Sequence, residues 1–177
     1  MPTKEFISHL KNRTAKVAIG AATLRGQGAP GVIAAARKGL QDIDLATFAV
    51  RGEEAFVERL DSATLALEAR FPEGGRSWGG ARKAVNIFLR DAVYNTDLSA
   101  HFGLRAIRPW LEVPLDSQIA KGLRSEPEGE ELPQWPGVKH LQSEDNARFQ
   151  CVASAVARRK RVQRVDLDVF YFRADPA

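Results

Sequence analysis

Residues 80–94 restrict the fold of this chain more than any other stretch. Ala84, Val85, Ile87, Phe88, Ala92 and Val93 recur at helical spacing and cover a broad face. A helix with so wide an apolar face needs other elements packed around it, so it is expected at the centre of the molecule. The rest of the chain supplies further helices. Residues 3–19 open on a Pro-Thr cap signal and carry Phe6, Ile7, Leu10 and Val17 at roughly helical spacing. Pro30 suits the first turn of a helix running to about Leu40. Shorter helices are expected over 44–50 and 52–70, two pieces over 97–111, one over 116–124 and a long one over 143–161. Residues 165–172 have strand-like types, but no other convincing strand accompanies them, so they read as a short packed helix. The expected fold is all-α, one helical domain over residues 1–177.

Composition removes several functional classes. A chain of 177 residues, 44% hydrophobic and 27% charged, buries a core without staples. No apolar run approaches the roughly 18 residues of a membrane span. The opening Met-Pro-Thr-Lys-Glu-Phe lacks the form of a secretion signal, so a cytoplasmic protein with no membrane partner is expected. Cys151 is the sole cysteine, which rules out an internal disulfide and a cysteine-held cluster. Its apolar neighbours Phe149, Val152 and Val156 predict a buried thiol. His9, His101 and His140 show no ligand spacing, so neither a metal nor a cofactor is expected.

The net charge of +4 is modest, and its distribution says more. Arg158, Arg159, Lys160 and Arg161 form a basic block with Arg164. Arg70, Arg76, Arg82, Lys83 and Arg90 surround Gly79-Gly80. Glu126, Glu128, Glu130 and Glu131 make an acidic run in a loop expected over 125–137. The basic clusters fit a nucleic-acid partner, although such runs are commonly solvated helix faces.

Two motifs carry candidate chemistry. Trp78-Gly79-Gly80-Ala81-Arg82-Lys83 reads as a glycine turn, a hairpin over 76–83, that opens the central helix. Free amides at such a turn hold phosphate, and a lysine there is a candidate amine nucleophile. Further along, Val113-Pro114-Leu115-Asp116 ends on a carboxylate placed to cap a helix or to stabilise a cation.

These residues resemble the helix-hairpin-helix DNA glycosylases. That family has a Leu-Pro-Gly-Val-Gly-Arg-Lys-like hairpin, an apolar stretch with an asparagine, and a Val-Asp-Thr-His-Val-like motif. Gly79 to Lys83, Asn86 and Leu115 to Ile119 stand in the same order here. The resemblance implies Lys83 as nucleophile and Asp116 as the essential acid. It also implies Gln27, in Leu24-Arg25-Gly26-Gln27-Gly28, as the residue that fills the gap left by a flipped base. Gly79, Gly80, Ala81, Arg82 and Arg25 would then contact DNA, with Trp110, Phe170 and Tyr171 as base-pocket candidates. Three departures stand out. Ala81 occupies a glycine position, the cysteine cluster of some relatives is absent, and residues 95–112 read as an insertion that lengthens the gap from Lys83 to Asp116.

The expected function is excision of a damaged or modified base from duplex DNA by a monomer. Strand cleavage through a Lys83 Schiff base is an added option. Glu112 and Asp168 are the substitutes if Asp116 serves only as a cap. A non-catalytic DNA-binding module and a helical protein-interaction domain are the alternatives.

Overall fold

The computed structural model of the chain describes residues 2–20, 23–24, 26 and 29–171. Among them every regular element is helical and no strand occurs. The central helix is α4, Trp78–Tyr94. Ala84, Val85, Phe88, Leu89 and Ala92 are fully buried on it. Around it pack α1 (Lys4–Ala18), α2 (Val32–Asp42), α3 (Glu53–Glu68) and α5 (Thr96–Phe102). Side-chain caps start most of these helices. Thr3 accepts from the Phe6 amide, Ser77 from the Gly80 amide, and Asn95 from the Asp97 and Leu98 amides.

The second half adds α6 (Ser117–Ser125), α7 (Ser143–Lys160) and the single turn α8 (Asp168–Tyr171). Its hydrophobic residues, among them Val113, Leu123, Phe149, Val156 and Leu167, form a second core cluster. The first cluster contains Phe48, Phe56, Phe88, Leu98, Leu104 and Ile107. The two interlock at their edges. Trp78, at the start of α4, packs on the second cluster, and Val165 belongs to the first. Residues 95–112 are no appendage. Asn95 caps α5, Gly103 turns the chain at φ +68°, and Leu98, Leu104 and Ile107 are fully buried.

Two expectations are corrected. The hairpin lies earlier than 76–83: α3 and α4 are joined through Phe71 to Ser77, with a 3-10 turn at Glu73–Gly75. Gly79, Gly80 and Ala81 lie inside α4, and none has a positive φ. Ala81 therefore bears no left-handed strain. Gly79 is needed for another reason. A Cβ there would stand 2.2 Å from the Val138 carbonyl oxygen and 2.6 Å from Leu141 Cβ. The small 3-10 turn Val138–His140 sits directly on the start of α4, where the Ser77 hydroxyl donates toward the Val138 and Lys139 carbonyls. The second correction concerns Cys151, which is exposed on α7, because its helical position turns it away from Phe149 and Ala153.

This close approach sets a stability expectation. Gly79→Ala forces backbone apart and should cost about 1–3 kcal/mol, the usual range for overpacking. Urea denaturation is the measurement, and a variant as stable as the parent would show that the 138–141 turn yields freely.

Candidate functional site

Asp116 is delivered by a buried, non-helical segment. Leu111, Glu112, Val113 and Leu115 are all at least nine-tenths buried, so their backbone groups need partners other than water. Side chains supply them. Arg164 donates to the Trp110 carbonyl (2.6 Å) and the Leu111 carbonyl (3.1 Å). The Gln150 amide closes on Val113 from both sides, donating to its carbonyl (2.8 Å) and accepting from its N–H (3.2 Å). Gln150 thus pairs as a neighbouring strand would.

Glu112 anchors the segment to α4. Arg82 Nε and Nη2 each lie 2.9 Å from its carboxylate oxygens in a bidentate pair. Asn86 donates at 2.9 Å, and Asn146 on α7 approaches both oxygens at 3.3 Å. Arg82 completes its bonding with Asp61 (2.6 Å) and Thr64 (3.2 Å) on α3, and stacks over Trp78 at 5.2 Å. Burial opposes the charge on Glu112, but the Arg82 guanidinium overrides it and holds the carboxyl below its usual range. Burial likewise opposes the charge on Arg82, and its bonds to Glu112 and Asp61 raise it. Within this layer Asn86 Oδ1 is buried without a hydrogen-bond partner among the described residues.

At the end of the segment Asp116 has two roles. Its Oδ1 accepts from the Gln118 and Ile119 amides (3.0 and 3.1 Å), capping α6. Its Oδ2 lies 3.4 Å from Lys83 Nζ. The lysine side chain is 10% exposed and the aspartate 37%, so the pair sits at the edge of the interior. Further along α4, Arg90 binds Asp168 at 2.5 Å. Burial raises the Asp168 carboxyl, Arg90 opposes that, and the charge of Asp116 adds to the rise.

The other sequence candidates fall elsewhere. Gly79, Gly80, Ala81 and Arg82 are all buried, and the Val138–His140 turn covers the helix start, so these residues present no phosphate cradle. Arg82 is held by carboxylates inside the protein. The three aromatics share no pocket. Trp110 packs on Phe56 in the first cluster, with ring centres 6.2 Å apart. Tyr171 lies over Gly122 and donates to Glu126, whereas Phe170 is 51% exposed beside Lys160. Gln27 and Arg25 lie outside the described residues. Asn146, Gln150, Arg164, Asp61 and Thr64 were not read as site residues. The one signal for them was polar side chains at helical spacing on an otherwise apolar face, as in Asn146 and Gln150.

The charge blocks also pair differently from expectation. Arg159 binds Glu126 and Glu128, and Lys160 binds Glu126. Burial opposes charge on Glu126, but Tyr171, Lys160 and Arg159 hold its carboxyl down to about 2. The acidic loop therefore neutralises Arg159 and Lys160 of the basic block.

The buried pair gives a pH expectation. Glu112 has a depressed folded-state value, so its contribution is complete above the unfolded value of about 4.3 and is lost as pH falls through the folded one. Glu112→Gln removes the buried bidentate partner of Arg82, leaving it the half-exposed Asp61, and should cost up to about 3 kcal/mol at neutral pH. The gap between variant and parent should narrow below about pH 4. Equal gaps in urea melts at both pH values would refute an ionised Glu112.

In comparison with known proteins, the chain matches no family model, no curated protein and no solved structure, so the functional reading rests on this geometry.

Proposed function

We propose that this protein is a DNA glycosylase that removes a damaged or modified base from duplex DNA, acting as a monomer without a cofactor. One observation carries the reading: Lys83 and Asp116, far apart in the chain, meet at 3.4 Å where two packed clusters adjoin. The order of the motifs around them supports it. A base inside a duplex is out of reach of any side chain and must be swung out, at a cost of a few kcal/mol. Breaking its bond to C1′ leaves positive charge on the sugar, and a carboxylate at that point stabilises the cation. Asp116 Oδ2 takes no part in the cap, which engages Oδ1, and faces Lys83 alone among the described cations. Lys83, once it has passed a proton to an acceptor such as Asp116, is a nucleophile for C1′. The C1′–N bond then breaks with its electron pair leaving on the base. Ring opening gives an imine between Lys83 and the sugar, from which elimination cuts the strand.

A second reading is favoured by a separate observation. One surface hollow of about 140 Å³ is lined by Gly39, Asp42, Leu67 and Arg70, and another of about 330 Å³ by Leu10, Arg13, Val17 and Asp91. Neither reaches Lys83 or Asp116, which suits a non-catalytic DNA-binding module. The protein-interaction reading keeps part of its motive: Arg159 and Lys160 bind Glu126 and Glu128, while Arg158, Arg161, Glu130 and Glu131 are exposed without an ion-pair partner among the described residues.

Incubation with duplexes bearing a panel of altered bases, followed by alkali, separates the two. Asp116→Asn keeps a competent cap, since Asn caps as well as Asp. It should retain fold and DNA binding while base removal falls roughly 10²–10⁴-fold. Borohydride should trap a covalent complex with the parent and not with Lys83→Ala. A parent protein that binds duplexes but leaves the whole panel intact would establish the non-catalytic module instead.

A further inference from the structure

The surface cations that surround the Lys83–Asp116 pair form a pattern not evident in the sequence. Many arginines and lysines of the chain face carboxylates: Arg70 and Lys38 bind Asp42, Arg90 binds Asp91 and Asp168, Arg108 binds Asp166, and Arg159 and Lys160 bind the acidic loop. Arg76, Lys139, Lys121 and Arg124 are exposed, and among the described residues none has a carboxylate within ion-pair distance; Arg13 and Lys16 on α1 share that freedom, so it is their place in the chain beside the Lys83–Asp116 pair that sets the four apart.

They lie in two arms that start from the pair. Arg76 immediately precedes Ser77, the cap of α4, and Lys83 lies about 8 Å of helix rise beyond Trp78, the first residue of that helix. Lys139 joins it there, because its carbonyl accepts from Ser77 Oγ at 3.1 Å. The second arm is the exposed face of α6, where Lys121 and Arg124 follow Asp116 by about 8 and 12 Å of helix rise. That face is otherwise Ser117, Gln118 and Ser125, polar and uncharged.

We infer that Arg76, Lys139, Lys121 and Arg124 form a two-armed phosphodiester-binding surface that grips a nucleic-acid backbone on the approaches to Lys83 and Asp116. The inference rests on the DNA reading above and adds where the strand lies. The covered start of α4 cannot take phosphate through its own amides, because the Val138–His140 turn occupies that ground. The same turn brings Lys139 to the place, so the contact is made by side-chain charge. Duplex DNA carries one charge per about 1.7 Å of axis, so each arm meets several phosphates.

The test is fluorescence anisotropy with an undamaged labelled duplex across a salt series. It compares the parent with R76E/K139E, K121E/R124E and a control, R13E/K16E. The control makes the same change in net charge on α1, which faces the other end of α4 at Asp91 and Asn95. Each arm variant should bind roughly tenfold or more weakly at low salt, with the slope of log affinity against log salt reduced by about 2. The control should bind almost as the parent does. Arm variants that match the control while the parent binds would overturn the inference and leave the glycosylase reading intact. A parent that binds no duplex would overturn both. Arm-dependent binding with no base removed from any duplex would uphold the surface and remove the excision.

Discussion

The bidentate contact between Arg82 and Glu112 is the constraint on which the arrangement depends. Two charges taken out of water are costly, and they persist only when each finds its full set of partners. Arg82 finds Asp61, Thr64 and Glu112, and Glu112 finds Asn86 and Asn146. Those partners come from α3, α4 and α7, so satisfying one carboxylate fixes three helices relative to each other. It also fixes the chain at residue 112, four residues before Asp116. The meeting of Asp116 with Lys83 is thus set by a polar layer that touches neither of them directly.

Arg82 and Lys83 are adjacent in sequence, yet their surroundings differ. Arg82 turns toward α3 and Glu112, whereas Lys83 faces the α6 cap. A helix separates neighbouring side chains by about 100°, which is enough to send one guanidinium into the interior and one ammonium to its edge. The buried arginine relieves Lys83 of any duty toward Glu112. Asp116 is consequently the lysine's one ion-pair partner among the described residues.

How much of this could be read from residues alone follows from the range of each interaction. Helices were legible because their causes are local: caps at Thr3 and Asp116, and apolar spacing along α4; the caps at Ser77 and Asn95 emerge only with the structure. The register of the hairpin was not. Gly74-Gly75 and Gly79-Gly80 are equivalent as text, and only the docking of the 138–141 turn tells which pair makes the bend and which one admits a neighbouring backbone. The fate of charge was still less legible. Arg159 and Glu126 are far apart in sequence, so the pairing of Arg159 and Lys160 with the acidic run is a tertiary fact. The lysine and the aspartate were identifiable as a pair from motif order, whereas Asn146, Gln150 and Arg164 act through a backbone segment that has no sequence signature. The aromatics misled for a related reason. Trp110, Phe170 and Tyr171 have the right chemistry for a base pocket, but packing sends each to a different neighbour.

Capping and chemistry at Asp116 are compatible because a carboxylate has two oxygens. Oδ1 is committed to two amides of α6, which fixes the side-chain torsions and leaves Oδ2 in a defined direction. A carboxylate on a flexible loop would pay rotamer entropy each time it met a substrate; one already locked by a cap does not. The same lock explains why the segment before it is satisfied so completely by Gln150 and Arg164, whose amide and guanidinium act where a strand would otherwise be needed. A helix start held in this way places an oxygen to within the tolerance that reaction at a sugar carbon demands, without a sheet to build on.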